Sequence, residues 1–304
     1  MAGAIPKIFH FVFGLREQTE PFHLMYYLCL RSCYEVNQPD EIHFHYQHEP
    51  HGAWWDRIKP MLRLRRIDPE RLVAEYRYDD ARIGQFRYAH LADFARLEIL
   101  AREGGIYADI DTLFLRPLPD ALRAHQFVLG REKAPPQAGD GGSLCNAWIA
   151  SAPGAAFCRL WLEGMSEAFD GSWSAHSTLL PFRLSRAYPD LLHIEPESAF
   201  YALDWTRQGL RDLFEREVAL PAHAYSLHLW NHLWSDSRRL DFSRFHAGRL
   251  TPDYVAFAGT TYARHARRFL PAGVSASRLG YTGQMARAAM HYPWLRLQRR
   301  LEAR

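Results

Sequence analysis

The chain predicts an α/β protein built on a parallel sheet. Three observations predict it: a strand, helix, strand opening between Ile5 and Gln47; a helix that runs through Gly104-Gly105 straight into a buried strand; and 304 residues with 48% hydrophobic content but no repeat or linker. A chain of this size can bury a real interior, and one domain is the expectation.

The elements follow in order. Ile5 to Phe13 (IPKIFHFVF) is β-branched and aromatic and closes on Gly14. It reads as a buried first strand whose carboxyl end meets a loop, where open α/β sheets place ligands. Thr19-Glu20-Pro21 offers a cap and an early proline to a helix carrying Leu24, Leu28, Leu30 and Val36, which Asn37-Gln38-Pro39 stops. Cys29 and Cys33 share a face of it. Glu41 to Gln47 alternates, with Ile42, Phe44 and Tyr46 on one side and His43 and His45 on the other, as a strand does. With His48 and His51 these two form a histidine group that could suggest zinc, but only His43 and His45 share a strand face, and a strand edge decorated with histidines is expected instead. A helix from about His90 to Glu103 ends at Gly104-Gly105, where a left-handed cap needs glycine. Ile106 to Leu115 (IYADIDTLFL) is the clearest strand, stopped by Arg116-Pro117. Ala134 to Ser143 is a glycine-rich loop without the Lys-Ser/Thr of a P-loop. Short helices, a strand-like Tyr225 to Trp230 and an arginine-rich amphipathic tail from about Gln284 complete the chain.

Composition narrows the function. Lys+Arg number 37 against 34 Asp+Glu, a net charge of +3, and Lys7, Lys59 and Lys133 are the only lysines. Clusters such as Arg63/Arg65/Arg66, Arg264/Arg267/Arg268 and Arg299/Arg300 are scattered rather than laid along a nucleic-acid module, so no nucleic-acid partner is expected. Cys29, Cys33, Cys145 and Cys158 form neither a CxxC pair nor a disulfide framework, which suits a reducing compartment. No apolar leader and no run of about 18 apolar residues points to a membrane span, and a cytoplasmic location follows as an expectation.

The chemistry concentrates in Tyr107-Ala108-Asp109-Ile110-Asp111. On a strand the two carboxylates would share a face, with Cα atoms about 6.6–7 Å apart. Side by side at the end of a hydrophobic strand they repel one another and lose hydration, so a cation belongs beside them. A salt-bridged surface strand would supply one, and so would a hard divalent ion. Mg²⁺ and Mn²⁺ favour one or two carboxylates plus phosphate and water oxygens, which links the pair to a nucleotide diphosphate. Asp93 and Arg96 are spaced i,i+3, and as a helix-surface ion pair they would contribute only about 0.2–0.5 kcal/mol. His228 and Trp230 alternate around Leu229, and His228 suits either a hydrogen-bonded structural role or a metal ligand.

The segment HLADFARLEILAREGGIYADIDTLFLRPL resembles the signature of the glycosyltransferases that carry a DXD sugar-binding region, a retaining group with the GT-A fold. It is also similar to the catalytic core of the clostridial glucosylating toxins. IPKIFHFVFG resembles the first strand of that family and HLWNHLW its closing His-x-Trp segment, so the anchors span most of Ile5 to Trp234. The resemblance implies a single GT-A domain over 1–304, with a mixed, mostly parallel central sheet flanked by helices. Its nucleotide-sugar half would be about 1–150, its acceptor-side half about 151–255 and a helical tail about 256–304. Asp93 would bind donor ribose or sugar hydroxyls, Arg96 the sugar or its phosphate, and Tyr107 would line the sugar pocket. Asp109 would touch ribose or metal-bound water, Asp111 would ligate the metal, and His228 would complete the shell. Asn146 would contact the donor sugar and Trp230 the diphosphate or acceptor. Phe13 stands where relatives often carry a tryptophan and is placed near the base. The Gly-Pro pair of many members is not visible; His176 to Pro181 occupies about that region, which leaves acceptor specificity open.

The activity so implied is metal-dependent (Mn²⁺ or Mg²⁺) transfer of a hexosyl residue from a nucleotide sugar, UDP-sugar favoured, to a saccharide or lipid-linked acceptor in surface polysaccharide or glycoconjugate synthesis. A protein-glycosylating effector, a glycoside hydrolase using paired carboxylates and a non-catalytic nucleotide-sugar-binding module are the alternatives. The basic, aromatic tail suits either peripheral contact with anionic lipid or a helix docked on the domain with its arginines outward.

Overall fold

The computed structural model describes residues 4–73, 87–138, 141–236 and 244–289. Its strands are β1 (Ile8–Val12), β2 (Glu41–Tyr46), β3 (Arg63–Arg66), β4 (Gly105–Ala108), β5 (Thr112–Phe114), β6 (Phe127–Glu132), β7 (Ser143–Ser151), β8 (His193–Glu195) and β9 (Ser226–His228). Seven of them form a central sheet in the order β3-β2-β1-β4-β7-β6-β8, and β5 pairs with β9 apart from it. β1 lies parallel to β2 and β4, β2 to β3 and β6 to β8, while β7 runs antiparallel to both neighbours. The α/β class and the mixed, mostly parallel sheet are therefore as the sequence predicts.

Side-chain alternation divides the interior into two layers. Phe9 and Phe11 of β1 and Ile106 and Ala108 of β4 pack with Leu24, Leu28 and Cys29 of the helix Leu24–Asn37. Val12 and Tyr107 face the opposite side, against Leu91, Phe94, Leu97 and Leu100 of the helix Arg87–Glu103 and Phe157 and Trp161 of the helix Ala156–Ala168. All four cysteines are buried and free.

Three expectations need correction. The first helix starts at Leu24, after Thr19–Pro21, because the His23 ring caps it: Nε2 is held at 3.2 Å by the Ala247 carbonyl, and Nδ1 accepts from the Met25 amide. Ile106 to Leu115 is two strands rather than one. The Asp109 amide donates to the Ala147 carbonyl at 2.8 Å, the Thr112 amide closes a turn on the Asp109 carbonyl at 3.0 Å, and β5 then departs to pair with β9. Each half thus finds a different partner, and the acidic residues fall on the turn between them. Third, His43 and His45 are not on a sheet edge. β3 lies outside β2, both imidazoles are buried, and His10 of β1 joins them on the same face. Burial and mutual repulsion lower His10 to about 4 and His45 to about 2, so both are neutral at pH 7.

Among the described residues no helix is long and apolar enough to cross a membrane. Residues 278–289 are helical, and the rest of the basic tail, 290–304, lies outside the described residues, as do residues 139 and 140 of the glycine-rich loop.

The two glycines after the helix are required by geometry. Gly104 and Gly105 have φ of 65° and 103°, and a Cβ on Gly105 would lie 2.7 Å from both His10 Nε2 and the Ile8 carbonyl oxygen. Gly105→Ala is expected to destabilise the chain by about 1–3 kcal/mol, read by denaturant unfolding; an unchanged midpoint would contradict this close approach.

Candidate active site

The site is assembled on the β4–β5 turn. Tyr107, last but one in β4, donates its hydroxyl to Asp109 Oδ1 at 2.6 Å. From the helix Arg87–Glu103, Arg96 reaches in over the Tyr107 ring, its guanidinium carbon 4.6 Å from the ring centroid. Its Nη1 is 3.4 Å from Asp109 Oδ1 and its Nη2 3.0 Å from Asp93 Oδ1, while Nε donates to the Ala92 carbonyl and Nη1 to that of Asn146. The i,i+3 pair therefore forms, but in the interior rather than on the helix surface. Asp93 also accepts from Asn146 Nδ2 at 2.9 Å and sits 3.0 Å from His176 Nε2.

Asp111 faces a different cation. β9 places His228 opposite Thr112, and the Leu229 amide donates to the Asp111 carbonyl. His228 Nε2 consequently lies 3.2 Å from Asp111 Oδ1 and 3.6 Å from Asp109 Oδ2, while Asp111 Oδ2 accepts from the Asn231 amide at 2.8 Å. The strand ends at His228, and Trp230 turns into the left-handed region (φ 55°, ψ 42°), where its indole N–H donates to the Leu203 carbonyl at 3.1 Å. Its ring meets His228 edge-on at 4.2 Å. A non-glycine residue in that conformation carries strain of the kind that collects at functional sites.

Electrostatics follow from these contacts. Burial alone would lower His228, but Asp111 and Asp109 overcome it and raise the imidazole to about 10. Burial likewise opposes ionisation of both carboxylates; Arg96 and His228 hold Asp109 below the ordinary carboxylate range, and His228 does the same for Asp111. The metal-free site is thus an imidazolium flanked by two carboxylates. A divalent cation fits the same place: Asp109, Asp111 and His228 present ligand atoms within 4.8 Å of one another, and both His228 nitrogens are buried without an aligned hydrogen bond. Two carboxylates and one imidazole form a donor set suited to Mn²⁺ or Mg²⁺.

All nine residues singled out from the sequence, Phe13, Asp93, Arg96, Tyr107, Asp109, Asp111, Asn146, His228 and Trp230, line one cavity of about 400 Å³. Phe13 is half-buried at the carboxyl end of β1, its ring 4.9 Å from Tyr26 and 5.4 Å from Phe22. Sequence reasoning missed Tyr26, Glu132, Tyr201 and Asn231 in the lining, and His176 behind Asp93. Asn231 could have been found, since it follows Trp230 within HLWNHLW. Glu132 had no signal: only folding brings the end of β6 to the cavity, where burial pushes its carboxyl up to about 8, helped by Glu197 and Asp109.

Fold and cavity together define an α/β protein with a candidate divalent-cation centre at the carboxyl end of its sheet. Residues 27–129 match the family described as "Glycosyltransferase sugar-binding region containing DXD motif", and the matched stretch contains Asp109-Ile110-Asp111. "Glucan organizing enzyme 1" of Cryptococcus neoformans var. grubii is 33% identical over 243 residues, which are 75% of this chain and 63% of that protein. The chain thus spans less than two thirds of that relative. Among solved structures, "PaToxG Glycosyltransferase" is 17% identical with a TM-score of 0.45, covering 62% of this chain and 72% of that one. Galactosyltransferase LgtC, solved with donor and acceptor sugar analogs, is 13% identical with a TM-score of 0.43, covering 91% and 99%.

The raised His228 value has a sign that can be tested. Its protonation adds stability to the metal-free chain that is complete below about pH 6.5 and is lost as pH climbs toward about 10. Ring-proton NMR of metal-free protein should show one histidine still protonated at pH 8, absent in His228→Asn; a His228 titration near 6.5 would refute the imidazolium clamp.

Proposed function

We propose that the chain is a metal-dependent, retaining glycosyltransferase that moves a hexosyl residue from a nucleotide sugar to a saccharide or glycolipid acceptor. UDP-sugar is the favoured donor, and surface polysaccharide or glycoconjugate synthesis the setting. One observation carries the reading: the DXD turn and a buried arginine, both inside the matched residues 27–129, converge with the buried imidazole of His228 on one cavity. Mn²⁺ or Mg²⁺ bound by Asp109, Asp111 and His228 would supply positive charge to the diphosphate leaving group.

The chain's own residues do the rest. Arg96 holds a fixed positive charge beside Asp109, oriented by Asp93, the Asn146 carbonyl and the Tyr107 ring, so no reorganisation is needed as negative charge grows on the departing phosphate. Asp93, tethered by Asn146 and His176, presents a carboxylate to donor hydroxyls, while Phe13 and Trp230 provide apolar faces for the base and for the diphosphate or acceptor. The acceptor hydroxyl oxygen bonds to the anomeric carbon on the face from which the diphosphate departs, and its proton passes to a leaving phosphate oxygen.

A glycoside hydrolase is the second reading, favoured by Glu132. A carboxyl raised to about 8 and an ionised Asp109 in one cavity is the arrangement in which one acid donates and the other stays charged. Chelation separates the two, because a hydrolase built on those carboxyls would not need metal.

Release of nucleoside diphosphate from a panel of UDP- and GDP-sugars, with Mn²⁺ and with chelator, tests the proposal. Metal-dependent turnover of a UDP-sugar is expected, and Asp111→Asn should lower it by about 10²–10³. Activity within a few-fold of the parent, or turnover indifferent to chelator, would overturn it.

A further inference from the structure

We propose a second metal site, for Zn²⁺, in which His10, His43 and His45 bind the ion and Glu103 supplies the fourth ligand. None of the four lines the catalytic cavity. The three imidazoles come from β1 and β2 and offer ring nitrogens within 4.8 Å of one another, and Glu103 Oε2 lies 3.4 Å from His43 Nδ1.

Two of the three outer contacts have the form that zinc sites use, in which a ligating imidazole gives its other N–H to a carbonyl or carboxylate. His10 Nε2 donates to the Gly104 carbonyl at 2.9 Å, which leaves the Nδ1 lone pair turned toward His45. His43 Nε2 donates to Glu41 Oε2 at 2.6 Å, which leaves Nδ1 buried and without a hydrogen bond, facing Glu103 Oε2 at 3.4 Å. His45 Nε2 stands 3.0 Å from His10 Nδ1, and its own Nδ1 is buried and unpartnered. A buried nitrogen without a hydrogen bond is costly, and a cation bound at His43 Nδ1 would relieve that one.

Size and charge agree. Zinc–nitrogen bonds of about 2.0–2.1 Å at tetrahedral angles separate ligand nitrogens by about 3.3 Å, so the His10–His45 pair need open by only a few tenths of an ångström. Glu103 approaches His43 and stands outside the group formed by the three imidazoles, so its partly exposed side chain would swing inward to close a four-coordinate shell of three nitrogens and one oxygen. The facing cations, Arg102 and Arg65, do not compete for the centre: Arg102 holds Glu103 Oε1 at 2.7 Å, leaving Oε2 for the histidines, and Arg65 sits on the exposed strand β3. Glu41 and Glu103 together balance the ion's charge, and the carbonyl end of the helix Arg87–Glu103 adds negative potential. The ion would pin β1, β2 and the end of that helix to one point.

The full-length chain, stripped with chelator and dialysed against Zn²⁺, tests this when bound metal is counted by atomic emission. An Asp111→Asn background removes the acidic site from the count. That protein should retain one zinc ion per chain, and Co²⁺ in its place should give the strong visible absorption of a four-coordinate ion. His43→Gln and Glu103→Gln in the same background should lose it, and Glu41→Gln, which touches only the outer contact, should weaken binding by about 10–100-fold. Glu41 and Glu103 are partly exposed, so those two variants keep the test alive should His43→Gln not fold. No zinc retained at micromolar free metal, or retention unchanged in Glu103→Gln and Glu41→Gln, overturns the proposal.

Discussion

Two carboxylates buried within one turn cannot both stay ionised without cations in contact, and most of the site follows from that constraint. The turn exists because β4 and β5 belong to different ladders: the Asp109 amide finishes on Ala147 of β7, and the Asp111 carbonyl is taken by Leu229 beyond β9. The same divergence presents Asp109 to Arg96 and Asp111 to His228. Arg96 is a permanent charge held by Asp93, Asp109, Ala92 and Asn146. His228 is a conditional one. In the metal-free chain a proton does what a divalent cation would do, so an incoming ion must displace it, and affinity for that ion is tied to pH.

The strongest sequence signals were local ones. IFHFV and GIYA were readable as buried strands, and Gly104-Gly105 marked the helix end because positive φ there leaves little choice of residue. The nine candidate residues could be singled out because their types and order resemble a known arrangement, and the structure brings them to one cavity. What could not be read depends on non-local pairing. Nothing in IYADIDTLFL distinguishes one long strand from two, since β-propensity is high throughout and the break is made by β7 and β9. The position of β2 inside the sheet depends on β3, an arginine-rich RLRR segment whose composition suggests a solvated loop as readily as an outer strand. His43 and His45 therefore looked like edge decoration, and His10 stood too far away in sequence to be grouped with them.

The histidines show how little burial alone decides. His228 and His45 are both almost wholly buried, yet one is raised to about 10 and the other lowered to about 2. Desolvation acts on both in the same direction; the neighbours differ. Carboxylates surround His228 and keep its proton on, whereas imidazoles and arginines surround His45 and keep it off. The first arrangement ties cation binding to loss of the His228 proton. The second leaves His10 and His45 neutral at pH 7, so an ion there would have no proton to displace from either. Asp93 and Glu103 stand on one helix about 15 Å apart, so an anchor at its carboxyl end fixes the axis along which Asp93 and Arg96 are aimed. Positioning a buried arginine to within a fraction of an ångström requires a rigid support, and a metal clamp behind the helix would be one way to provide it.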